Sequence, residues 1–285
     1  EENTSSENAR RLAEREVDVA LVPVDSFAEY GGFVGLDFGI AAAKTVRSVL
    51  LVAEQEIRTL RTVYVDEAAH SSISLLRILF AELWNISPKI VRAERHSLKK
   101  LVRESEGALL VSDQLVFDRP TYPYTYDIVA EWCKLTGKPF VFSIWATRPE
   151  ALSAERALAL NDVFHRGVKA RAHVARAVGD EVGITGDLLA QYISELKLYS
   201  LDDGVLTGLR EFFQRSAALG NLPRASYRSA TRGLFATESV VPIKQRSVSE
   251  VLNEVLRRQR LGIAEALRLV DQAKLSELGL AVDLL

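Results

Sequence analysis

Apolar positions along the chain follow two rhythms. Short apolar runs read as buried strands: "VDVALVPV", "VRSVLLVA" (Val46–Ala53), "TVYV" (Thr62–Val65), "KIVR" (Lys89–Arg92), "GALLVSD" ending at Asp113, and "KPFVFSIWATRP". Between them the spacing turns helical: "ENARRLAERE" with Ser6 as its predicted N-cap, Ser72–Trp84, Ser97–Glu104, and "YDIVAEWCKLTG", which Gly137 closes. From Ala151 onward the pattern is helical throughout, over Ala151–Val178, Gly186–Tyr199 and Gly204–Ala218. "DSFAEYGGFVGLDFGIAAAKT" is predicted to be loop-rich, and "TYPYTYD" to be either a lid or a packed loop. Residues 223–245 are polar and irregular, which predicts a linker, and residues 246–285 are helix-periodic to the end. Strands alternating with helices predict an α/β fold with parallel sheets, over which the helical stretch returns.

Composition narrows this picture. The 285 residues suffice for one large or two medium domains, and 48% hydrophobic with 26% charged residues is a globular balance. A net charge of −2 without any basic, aromatic-interleaved stretch argues against nucleic acid as a partner. The apolar runs are too short to cross a bilayer, so no membrane partner is expected. The single cysteine, Cys133, sits mid-helix; it excludes an internal disulfide, predicts a buried structural role and fits a cytoplasmic location. The chain contains no methionine, even at position 1, so the numbering is expected to conceal omitted residues.

Candidate chemistry is sparse. The chain has no phosphate-binding glycine loop, no dinucleotide fingerprint, no HExxH and no Cys/His cluster with metal spacing, so neither metal nor cofactor is expected. What stands out is "VYVDEAAHSSISLLRILF", a strand, a turn and the start of a helix. The first turn of a helix has unpaired N–H groups at the positive end of the macrodipole and attracts anions. Ser71 and Ser72 therefore either cap the helix or hold a ligand carboxylate. His70 is either a proton donor or second carboxylate contact, or a surface residue. Asp113 occupies a similar strand end, as ligand contact or loop brace. His96, His165 and His173 sit in polar surroundings and read as solvated, while Trp132, Trp145 and Phe142 read as core.

"VDVALVPVDSF", "VRSVLLV", "VYVDEAAHSSISLLRILF", "GALLVSD", "YDIVAEWCKLTGKPFVFSIWATRP" and "AQYISELKLYSLDDGVLTGLREFFQRS", in this order, resemble the chorismate dehydratase family of the futalosine route to menaquinone. The resemblance implies a two-lobed fold like the type II periplasmic binding proteins. Lobe 1 would comprise residues 1–53 and 144–222 and lobe 2 residues 54–143, with Val46–Ala53 and Phe140–Thr147 as crossing strands. It implies elimination of water from chorismate to give 3-[(1-carboxyvinyl)oxy]benzoate, a hydro-lyase reaction without cofactor. The family's Ser-Arg-Thr-Ser segment falls on "AHSS", so Ser71 and Ser72 match its hydroxyl residues and His70 replaces its arginine; the family's Gly-Asp falls on Ser112-Asp113. The implied substrate-binding residues are thus Ser71, Ser72, His70 and Asp113. A catalytic asparagine is implied on a first strand that no segment here matches, and it is expected ahead of Glu1. Two other readings stay open: a 1,4-dihydroxy-6-naphthoate synthase-like enzyme, and a solute-binding protein for an aromatic carboxylate. The tail, "VLNEVLRRQRLGIAEALRLVDQAKLSELGLAVDLL", resembles the helical lead-in of the radical-SAM enzymes of the same pathway, which implies the front part of a fusion.

Overall fold

The computed structural model describes residues 4–66, 68–179, 184–196 and 198–223. The linker and helical tail expected over 223–245 and 246–285 lie outside the described residues, apart from Pro223.

The chain opens with α1 (Ser5–Ala13). Its cap is Thr4 rather than the predicted Ser6, because Thr4 is extended and its hydroxyl accepts from Glu7 N at 3.2 Å. There follow β1 (Val19–Pro23), the single turn α2 (Ser26–Glu29), β2 (Val34–Ala42), β3 (Val49–Ala53) and β4 (Thr62–Val65). Next come α3 (His70–Ile78), which runs on into a wider turn at Leu79–Leu83, then β5 (Lys89–Arg92), α4 (Leu98–Leu101) and β6 (Glu106–Val111). The chain continues through β7 (Tyr124–Asp127), α5 (Ile128–Thr136), β8 (Phe140–Thr147), α6 (Ala154–Val178), α7 (Gly186–Gln191), β9 (Leu198–Ser200) and α8 (Asp203–Ala218).

Two sheets result, ordered β1-β8-β2-β9 and β5-β4-β6-β3-β7. The architecture is α/β with two sheets, as the resemblance implied. The parallel arrangement predicted from strand–helix alternation is confined to β4, which pairs in parallel with β5 and β6. Every other pairing is antiparallel, because the chain passes from the first sheet to the second and back; β8 then enters between β1 and β2, antiparallel to both. The strands expected to cross between lobes do not cross. All of β3 lies in the five-stranded sheet and all of β8 in the four-stranded one, so the passages are the segment before Val49 and helix α5.

Side-chain alternation explains how both faces of the second sheet are covered. Leu50 and Val52 of β3 point to a small cluster with Leu98, Val102, Ala108, Leu110 and Leu115. Val49, Leu51 and Ala53 point into the main core with Leu75, Leu76, Ile78, Trp132 and Phe140. That core continues to the first sheet through Val22, Ile144 and Ala146, and α8 contributes Leu209, Phe212 and Phe213.

The passages are pinned by Asp127. One carboxylate oxygen caps α5 by accepting from Val129 N (3.0 Å) and Ala130 N (3.1 Å). The other accepts from Val46 N (2.9 Å), Arg47 N (2.7 Å) and the Thr45 hydroxyl. Arg47 is left-handed (φ 58°), a conformation that side-chain-bearing residues seldom adopt unless their neighbours hold them there. Cys133 is half-buried on α5, and its Sγ faces the carbonyls of Ala43 (3.2 Å) and Lys138 (3.4 Å). Burial, and then the charge of Asp127, pushes its thiol pKa up, which suits a structural residue rather than a nucleophile.

Candidate functional site

β4 runs parallel to β5 and β6, so the carboxyl ends of these three strands share one edge of the second sheet. In parallel α/β units that edge is where ligands gather. The helix after β4 starts at His70, two residues ahead of the predicted Ser72, with Ala69 at the cap position and no side-chain cap. Ser71 and Ser72 therefore occupy the second and third positions of α3 and do not cap it. Both are buried, Ser72 to 3% exposure, and the first-turn N–H groups of His70, Ser71 and Ser72 have no partner within the helix. Buried hydroxyls, free amides and a helix dipole in one turn make an anion-binding arrangement.

Asp113 begins a 3-10 turn that follows β6 at the same edge. It is exposed, and the Tyr192 hydroxyl donates to its Oδ1. Tyr192 is buried beyond α7; burial and the bond to Asp113 push its pKa well above the ordinary tyrosine value. The Tyr199 hydroxyl is pushed up to about 12, by burial first and then by the charge of Asp113. Asp113 thus braces the rim of the second sheet against the returning helical segment. Both tyrosines stay neutral donors at ordinary pH.

Two acids that sequence reasoning passed over face His70 from the first sheet. Asp25 ends the turn after β1 and Glu29 lies one helical turn on. One ligand atom from each of Asp25, Glu29 and His70 lies within 4.8 Å of the others. Asp25 is 2% exposed; Ser74 Oγ, one turn beyond His70, donates to its Oδ2 at 3.4 Å, and Oδ1 has no partner. Burial pushes the Asp25 carboxyl up to about 6, the Glu29 charge adds to this, and His70 opposes it. The spacing Asp-x-x-x-Glu was visible, but its value depended on His70 arriving from another element.

The remaining candidates divide plainly. Trp132 is fully buried, and its Nε1 donates to Pro139 O at 3.1 Å. Trp145 and Phe142 are partly buried, Trp145 tilted against Phe164 and Phe142 edge-on to Phe140. His96 is exposed beside Glu94, and His165 is exposed with its ring edge-on to Phe38. Two surface concavities, of about 370 Å³ beside Arg77, Phe80 and Leu219 and about 510 Å³ beside Arg119 and Tyr122, are lined by none of His70, Ser71, Ser72 or Asp113.

Residues 3–218 match the menaquinone biosynthesis family, a span that takes in both sheets and every site residue above. The chain belongs to that family. Among characterised proteins it is 26% identical, over 223 residues, to the chorismate dehydratase of Thermus thermophilus, covering 71% of this chain and 81% of that one. A protein from Archaeoglobus fulgidus shares the fold, with a TM-score of 0.55 at 14% identity over 77% of this chain and 85% of its own. The aliphatic sulphonate binding protein SsuA of Escherichia coli superimposes with a TM-score of 0.44 at 12% identity, over 76% of this chain and 79% of its own. Membership of the family accounts for the motif order along the chain. The match stops before the 246–285 segment, so nothing in it supports the radical-SAM resemblance of the tail. Among the described residues no helix is long and apolar enough to cross a membrane.

Proposed function

We propose that this chain is a chorismate dehydratase, a carbon–oxygen lyase acting in menaquinone biosynthesis. The observation that carries the proposal is the mouth of α3, where buried Ser71 and Ser72 stand at the first turn with no side-chain cap, inside a chain of the menaquinone biosynthesis family. The Thermus thermophilus relative supports the choice of reaction.

Chorismate carries two carboxylates and one ring hydroxyl. Loss of the ring proton beside the ether together with that hydroxyl releases one water and leaves an aromatic ring, so the thermodynamic drive is built into the substrate. The protein's task is to orient the dianion and help the hydroxyl depart. In this reading the Ser71 and Ser72 hydroxyls and the first-turn amides hold one carboxylate. His70, at the same mouth, donates a proton to the departing oxygen or contacts the second carboxylate. Asp113, a hydrogen-bond acceptor, suits the ring hydroxyl rather than either carboxylate, and Tyr192 fixes its position. The proton leaves to the substrate's own enolpyruvyl carboxylate or to a group outside these four residues. A soluble cytoplasmic enzyme fits this chemistry.

The test is ligand recognition. The product dianion should bind one-to-one in calorimetry, and its dimethyl ester should not. Equal binding of the ester would remove the carboxylate, and with it this reading of α3.

A further inference from the structure

We propose that Asp25, Glu29 and His70 form a binding site for a divalent cation of Zn²⁺ type, between the first sheet's α2 turn and the mouth of α3.

Three separate features support it. Asp25 and Glu29 are four residues apart across the single turn α2, which puts two carboxylates on one face, and His70 meets them from the opposite element. Their ligand atoms fall within 4.8 Å of one another, the only such trio among the described residues. Independently, Asp25 is 98% buried, as its 2% exposure requires, and its Oδ1 has no hydrogen-bond partner. A buried carboxylate oxygen without a partner is costly, and a cation is the partner it lacks. Ser74 donates to the other oxygen at 3.4 Å and so fixes the carboxylate plane, as outer hydrogen bonds do around bound metals.

Two carboxylates and an imidazole suit a borderline cation rather than Ca²⁺ or Mg²⁺, which favour all-oxygen shells. Tetrahedral coordination at about 2.0–2.1 Å requires ligand atoms about 3.3 Å apart, so the trio must close by about 1.5 Å. Glu29 is exposed and free to move inward, and its open side leaves a coordination position to water. The ion would tie the first sheet to α3. This inference does not rest on the proposed reaction: an imidazole that ligates the ion is not the imidazolium that proton donation needs, so the role given to His70 in the elimination belongs to the ion-free protein.

The test uses the full chain, freed of metal with a chelator and titrated calorimetrically with ZnCl₂, and separately with CoCl₂ to follow visible absorption. One equivalent should bind in the micromolar range or tighter. Asp25→Asn, Glu29→Gln and His70→Ala should each weaken binding at least tenfold and abolish the Co²⁺ spectrum, while His96→Ala and His173→Ala should not. Asparagine is a neutral isostere that relieves the buried charge, so Asp25→Asn should fold; if it does not, exposed Glu29→Gln decides. Absence of stoichiometric binding, or binding that survives both carboxylate changes, would overturn the site.

Discussion

Ser72 illustrates how much a single hydroxyl is asked to do. At 3% exposure it sits in the third position of α3, and Ala69 leaves the capping position without a side-chain acceptor. A hydroxyl donating to a carboxylate is charge-assisted, and its loss costs roughly 1.5–3 kcal/mol. At about 1.4 kcal/mol per decade, Ser72→Ala should lower kcat/KM for chorismate at least tenfold. Because Ser72 does not cap the helix, the thermal midpoint should stay close to that of the unmodified protein. Unchanged kinetics in a folded variant would leave the serine a packing residue only. Asp127 makes the opposite bet. It accepts five hydrogen bonds, three from the passage before Val49 and two from the start of α5, so Asp127→Ala should cost about 3 kcal/mol in urea unfolding. A loss below about 1 kcal/mol would mean the passages hold without it.

At the scale of elements, α8 is the buttress. Gly208 lets it lie against the turn before β8: a Cβ there would stand 1.8 Å from Pro139 O, a clash with backbone that cannot rotate away. Gly208→Ala should cost about 1–3 kcal/mol or more, read as a lowered thermal midpoint. The same helix carries Glu211, held by Lys138 at 2.5 Å and by Arg215, which also bonds Glu82 below α3. The Lys138 bond first, and then Arg215, hold the Glu211 carboxyl below its usual value of 4.5. A depressed carboxyl stabilises the fold above its unfolded pKa, and that contribution is lost as pH falls through the folded one. Glu211→Gln should therefore lower the melting temperature at pH 7, and the gap should shrink below about pH 4.5. A gap independent of pH would contradict this.

Elements were legible where one rhythm dominated. Thr62–Val65, Lys89–Arg92 and the Gly137 stop of α5 stand where the pattern put them, with Gly137 left-handed at φ 68°. β2 was read as loop because its signal is small residues rather than alternating large ones. Gly39 is needed there, since a Cβ would sit 2.3 Å from Ser143 O on the adjacent strand, and register shifts break its period. β7 hid inside "TYPYTYD" because Pro123 and a run of partly buried tyrosines disguise an edge strand, and β9 hid at the end of a helical pattern. At the candidate site, the place of Ser71 and Ser72 in the first turn of a helix was legible from strand–turn–helix order. Asp25 and Ser74 were not, because their meeting joins residues 49 apart in sequence.

For the whole molecule, the family match ends at residue 218, so the proposed activity should not need the 246–285 segment. A chain ending at Gln245 should stay folded and active; losing solubility and activity together would show that the segment covers apolar surface of the first sheet. One conversion tests the proposed function most directly. The full chain, treated with chelator and mixed with chorismate, is followed by proton NMR. Ring-hydroxyl-bearing chorismate signals should disappear while aromatic signals of 3-[(1-carboxyvinyl)oxy]benzoate grow, one product per substrate. Chorismate left unconsumed, or consumed only to prephenate, would contradict it.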